Sequence, residues 1–199
     1  MKKVVIFGAA GHTGKYITEK MKEQEDIELT VFVRDPEKFG DMNLKGVTII
    51  KGDALNQEDV KKAMEDQDIL LASLEGHVLT MAKNIVSALK ETSLKRIIWI
   101  TGMGIHHEIT GVRGMMLNML AKKRPEYIEA ADLIAGSKAV TTLLRCPGIK
   151  NGQNTKYFLT IEGEQPAHND IERAGIAQCM LDMIHDETLG VNESFGITN

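Results

Sequence analysis

The stretch Val4-Val5-Ile6-Phe7-Gly8-Ala9-Ala10-Gly11-His12-Thr13-Gly14 constrains this chain more than any other. Val4 to Phe7 form a short, unbroken apolar run, the pattern of a strand buried on both faces. Three glycines follow at the spacing GxxGxxG, and a helical pattern begins among them. Each glycine has a separate task in such a turn. Gly8 permits a tight bend, Gly11 lets the backbone approach a bound group, and Gly14 lets the helix pack closely on the sheet. The first N–H groups of the helix have no partner within it, so they are open to phosphate oxygens. A strand, a glycine turn and a helix in this order read as the pyrophosphate-binding turn of a dinucleotide site. The Gly-Lys-Ser/Thr of a Walker-type loop does not occur at its spacing.

The rest of the chain repeats the rhythm. Apolar, β-branched runs over 4–7, 29–33, 47–50, 69–72, 97–100 and 140–144 predict buried parallel strands. Between them, Val78, Met81, Ala82, Ile85, Val86 and Leu89 form one helical stripe, and Ile176, Cys179, Met180, Met183 and Ile184 form another. Weaker helical patterns cover 13–23 and 57–65. The β-α-β alternation predicts an α/β fold: a Rossmann-type, doubly wound parallel sheet with right-handed crossovers and helices on both faces. Residues 151–169 carry Gly152, Gly163 and Pro166 and read as loops with one short strand. A last strand is expected over 195–198. No linker divides the chain, so 1–199 is read as a single domain. Segments 102–126 and 147–170 are left to build a small substrate or lid portion.

Composition narrows the function classes. The 199 residues hold 24 Lys+Arg against 28 Asp+Glu, a formal net charge of −4. That balance argues against a nucleic-acid partner. No run approaches the ~18 apolar residues of a membrane span, so no membrane partner is expected. Cys146 and Cys179 make neither a disulfide framework nor a zinc set, and no metal is expected. Two unpaired cysteines point to a reducing, cytoplasmic setting. The expected partner is a small molecule, and the expected assembly is a monomer or homodimer.

The spacing GxxGxxG resembles the short-chain dehydrogenase/reductase superfamily in its atypical branches. Val31-Phe32-Val33-Arg34-Asp35-Pro36-Glu37-Lys38 resembles the "VRxPEK" strand end of NmrA-like and flavin-reductase-like members. Gly52-Asp53, Leu144-Arg145-Cys146-Pro147 and Ile171-Glu172-Arg173-Ala174 resemble later markers of the same group, in the same order. The resemblance implies an NAD(P)-binding protein. It also implies a site in which Gly8, Ala10, Gly11, His12, Thr13 and Gly14 hold the pyrophosphate. Asp53 and Ala54 would flank the adenine. Ser73, Leu74, Glu75 and Gly76 would pass the ribose and pyrophosphate. Thr101 and Gly102 would lie beside the nicotinamide ribose, and Pro147, Gly148 and Ile149 at the nicotinamide. All of these follow strands at their carboxyl ends, where open α/β sheets bind ligands.

A carboxylate ending the second strand would favour NAD, and an arginine NADP. Arg34 holds that position and Lys38 follows four residues on, while Asp35 serves as a turn or cap residue before Pro36. NADP(H) is therefore expected over NAD(H). The catalyst is less legible. The superfamily's tyrosine has a lysine four residues later, which lowers its pKa. Here Ala131 follows Tyr127 at that distance, and Thr101 or Gly102 stands at the serine position. Thr101, His106 and Tyr127 remain as candidates, with His106-His107-Glu108 read first as a solvated loop. An incomplete triad weighs against ordinary carbonyl reduction and toward a flavin or quinone acceptor, where the nicotinamide carries the chemistry. The alternative is an NmrA-like regulator that binds the dinucleotide without turnover. Four methionines over 103–119 suit a flexible cover or a packed core helix over 115–120 equally, with a dimer contact as a third use.

Overall fold

The computed structural model describes Met1 to Asn199. The strands β1 (Lys2–Phe7), β2 (Ile27–Val33), β3 (Thr48–Lys51), β4 (Ile69–Ala72), β5 (Arg96–Gly102), β6 (Val140–Cys146), β8 (Phe158–Ile161) and β10 (Glu193–Thr198) form one 8-stranded sheet. Its order is β3-β2-β1-β4-β5-β6-β10-β8. The short strands β7 (Gly148–Lys150) and β9 (Asp170–Glu172) pair separately, in parallel. Six helices complete the fold: α1 (His12–Lys22), α2 (Gln57–Met64), α3 (Val78–Ala88), α4 (Gly111–Lys122), α5 (Pro125–Ala135) and α6 (Arg173–His185).

Alternate residues of β1 explain the two-sided burial. Val4 and Ile6 enter a core with Ile17 and Met21 of α1 and Ile176, Met180 and Met183 of α6. Val5 and Phe7 enter a second core with Val60 and Met64 of α2, Ile85 of α3 and Ile134 of α5. All four β1 residues are fully buried, which is why the run reads as continuously apolar. Trp99 lies in the second core, as its place in β5 suggests.

Every pairing in the large sheet is parallel except that of β8 on β10. The expected parallel sheet thus carries one antiparallel edge strand. The chain between β6 and β8 forms no crossover helix, so β8 starts from the sheet's carboxyl edge and can only run backwards. The segment 151–169 does hold one strand, flanked by β7 and β9. The chain order reverses at β1: β2 and β3 lie to one side of it, β4 and β5 to the other. A crevice opens at such a switch point, above the carboxyl ends of the strands. No helix is long and apolar enough to cross a membrane.

Candidate dinucleotide-binding cleft

The turn after β1 is built as its glycines require. Gly8 sits at φ +78°, and a Cβ there would lie 2.0 Å from the Ser73 carbonyl oxygen. A Cβ on Gly14 would lie 2.0 Å from the Gly8 carbonyl oxygen, so α1 rests directly on the turn. The Gly11 N–H donates to Gly8 O at 3.0 Å, and a Cβ on Gly11 would meet only that oxygen, at 3.1 Å. No side chain caps α1, and its first turn carries no acid. By contrast, Asn56 caps α2 by accepting from the N–H groups of Glu58 and Asp59. The bare end of α1 leaves its N–H groups and the positive end of its dipole available to an anion.

That end opens into a cleft of about 620 Å³. Of the residues expected at a cofactor, Gly8, Ala10, Gly11, His12, Thr13, Arg34, Lys38, Asp53, Ala54, Ser73, Leu74, Glu75 and Ile149 line it. Four strand ends supply the walls, and the backbone holds them together. Ser73 N–H donates to Phe7 O at 3.1 Å and Gly52 N–H to Val33 O at 3.0 Å. The Asp53 N–H donates to the Asp59 carboxylate of α2 at 2.9 Å, and Asn84 of α3 donates to Ala54 O at 3.0 Å.

Gly14, Gly76, Thr101, Gly102, Pro147 and Gly148 stand outside the lining. Gly14 lies beneath the turn. The Gly76 N–H donates to the Tyr127 hydroxyl at 3.2 Å, tying the loop after β4 to α5. Thr101 is buried and its hydroxyl has no partner. The lining also includes Phe32, Val33, Asp35, Gly52, Met81 and Arg173. Phe32, Val33, Asp35 and Gly52 are sequence neighbours of expected residues and needed only a wider window. Arg173 arrives from α6, far along the chain; its one signal is the Ile-Glu-Arg-Ala segment that opens that helix. It donates to Asn151 at 2.8 Å, while its Nε has no partner.

Arg34 and Lys38 are exposed at one end of the cleft and form no ion pair. The Asp35 carboxylate accepts from the Glu37 N–H at 3.2 Å, capping a short 3₁₀ turn over Pro36–Phe39.

The solvated-loop reading of His106-His107-Glu108 holds for His107, which is exposed, and fails for Glu108, which is buried, and in part for His106, which is half-buried. Glu108 and Arg145 form a buried ion pair at 2.6 Å, each side chain 1% exposed. Glu108 also accepts from the Gly104 N–H at 2.7 Å and the His106 N–H at 3.0 Å. Burial opposes its ionisation, but the backbone N–H groups of Gly104 and of Glu108 itself, with the Arg145 guanidinium, outweigh burial and hold it below the usual carboxylate range. His106 lies between two carboxylates, with Nε2 2.9 Å from Asp132 of α5 and Nδ1 3.1 Å from Glu162 beyond β8. Burial disfavours its charge most strongly, yet the two carboxylates prevail and raise its pKa. Cys146 is inert filler, since burial pushes its thiol up to about 12. Cys179 is raised as well, first by burial.

The methionine segment resolves into a helix longer than the core helix considered over 115–120, and turned the other way. Met103 is buried, but Met115, Met116 and Met119 face solvent.

A Rossmann sheet with an uncapped glycine turn at its switch point defines a dinucleotide-binding protein. Residues 8–187 match the NAD(P)H-binding family, and the chain belongs to it. Among curated relatives, an isoflavone reductase homolog of Nicotiana tabacum is 30% identical over 104 residues, 48% of this chain and 34% of its own length. Quinone oxidoreductase 2 of Escherichia coli is 27% identical over 160 residues, 78% of this chain and 50% of its own length. The chain thus spans half or less of these relatives. Among solved structures, a Rossmann-fold NAD(P)-binding family protein from Shigella flexneri has TM-score 0.82 at 28% identity, covering 100% of this chain and 94% of that one. A short-chain dehydrogenase/reductase from Veillonella parvula, in complex with NADP, has TM-score 0.84 at 23% identity over 100% and 94% of the two chains. The latter likeness is one of fold.

Proposed function

We propose that this protein is an NADPH-dependent oxidoreductase acting on a small, flat acceptor such as a flavin or quinone. The carrying observation is the cleft itself: an uncapped helix end at its centre and two unpaired cations, Arg34 and Lys38, where β2 ends. Gly8, Ala10, Gly11, His12 and Thr13 hold the pyrophosphate, with Gly14 allowing α1 to sit close behind them. Arg34 and Lys38 take the 2′-phosphate. Asp35 is committed to its own turn and leaves that position to Arg34. Asp53 and Ala54 flank the adenine, and Ser73, Leu74, Glu75 and Gly76 the ribose and pyrophosphate. Thr101, Gly102, Pro147, Gly148 and Ile149 face the nicotinamide end, and segments 102–126 and 147–170 cover the acceptor.

A nicotinamide bound there supplies hydride; the chain supplies position and exclusion of water. Tyr127 lacks a lysine partner, and its hydroxyl already accepts a hydrogen bond from Gly76. That bond fixes the loop after β4, and without a lysine Tyr127 lacks the partner that acid catalysis uses. A quinone or flavin suits this arrangement because it demands less acid catalysis than a simple ketone. One relative's name, quinone oxidoreductase, supports the same class.

The test is absorbance at the nicotinamide band with purified protein, NADPH and a panel of flavins, quinones and aldehydes. Steady consumption with a flavin or quinone, above a protein-free control, is expected. Tight NADPH binding with no consumption across the panel would replace this reading with the non-catalytic regulator.

A further inference from the structure

The outer face of α4 has no partner in the fold. Val112, Met115, Met116, Met119 and Leu120 recur at i, i+3, i+4, i+7 and i+8, and are between 52% and 80% exposed. This is one continuous stripe along a three-turn helix. The opposite face is seated. Gly114 lies against the Ile109 backbone, and Leu117 packs on Gly104, where a Cβ would come within 2.8 Å. The stripe is therefore held outward by close packing behind it. A core helix of this composition would turn its methionines inward.

Charge decides what covers the stripe. Residues 109–125 contain no acid and four cations: Arg113, Lys122, Lys123 and Arg124. In a chain of net charge −4 this is a local reversal of sign. Lys122, Lys123 and Arg124 stand exposed together at the end of α4. A second copy placed stripe to stripe would bring two such cationic helices together, with no acid on either to answer them. An anionic bilayer surface answers both features at once. Its acyl boundary accepts methionine and leucine side chains, and its headgroups accept the lysines and arginine.

We infer that α4 docks this protein peripherally on membranes carrying anionic lipid, its apolar stripe lying in the interfacial plane. The absence of a spanning segment is compatible with this, since an interfacial helix needs only one apolar face. The inference does not depend on the proposed reductase activity.

Sedimentation of the full chain with phosphatidylcholine vesicles, with and without phosphatidylglycerol, tests it. Binding to the phosphatidylglycerol vesicles, falling as salt is raised, is expected. Lys122→Gln with Lys123→Gln should lower that affinity roughly thirtyfold. Met115→Ser with Met119→Ser should abolish it, while NADPH affinity and thermal stability stay unchanged. Binding to neither vesicle, or equal binding to both, would overturn the inference. So would a dimer in light scattering that the Met→Ser pair dissolves, which would assign the stripe to a second copy.

Discussion

Gly8 and Gly14 interlock in a way that separates folding from binding residue by residue. A methyl on Gly14 must displace the Gly8 carbonyl, which is backbone and cannot swing away. A methyl on Gly11 meets little and projects where α1 begins. Gly14→Ala should therefore destabilise the fold by about 2–4 kcal/mol, measured by urea unfolding. Gly11→Ala should unfold within about 1 kcal/mol of the parent yet bind NADPH at least tenfold more weakly. Equal stability losses in both variants would contradict the separation. These glycines were legible because their spacing encodes backbone geometry. Arg173 was harder to place, since its position in the cleft depends on how α6 returns to the sheet.

At the scale of elements, the loop between β5 and α4 is held from two sides. Glu108 pins it to Arg145 of β6, and His106 clips it to Asp132 and Glu162. Glu108→Gln leaves a buried guanidinium without its counter-charge and should cost about 3–5 kcal/mol in urea unfolding. The Glu108 pKa is depressed in the fold. Its contribution is thus present above the unfolded value of about 4.3, and is lost as pH falls through the folded one. His106 has the opposite sign. Its raised pKa gives a contribution that is full below about 6.5 and lost as pH rises through the folded value. Being half exposed, the clasp is worth about 1 kcal/mol or less. The stability difference between the parent and His106→Gln should shrink as pH rises past neutrality; a difference that grows would contradict the clasp. None of this was readable beforehand, because His106 meets partners from two other elements. Strands β1, β2, β4, β5 and β6, by contrast, were legible to within a few residues, since burial on both sheet faces leaves an unbroken apolar run; β3, expected to be buried, is a largely exposed edge strand, and the short pair β7 and β9 had no such run to read. The direction in which α4 faces was not, because methionine suits either side of a helix and only the packing of Gly104 and Gly114 selects one.

For the whole molecule, two cores on opposite faces of one sheet fix the strand ends, and the strand ends make the cleft. That architecture was expected from the β-α rhythm and the GxxGxxG turn, and the match over residues 8–187 agrees with it. The exception is the antiparallel edge strand β8, reached through a segment with no periodicity to read. The connections after β5 and β6, which the proposed function assigns to the acceptor, were equally opaque, because their course follows buried ion pairs rather than local pattern. The proposed function requires the cleft to prefer NADPH through Arg34 at the end of β2. Calorimetric titration of NADPH and NADH into the parent and Arg34→Ala tests it directly. NADPH should bind the parent about tenfold or more tightly than NADH, and Arg34→Ala should remove most of that gap while leaving NADH affinity unchanged. Equal affinity of the parent for both dinucleotides, or a gap that survives Arg34→Ala, would contradict it.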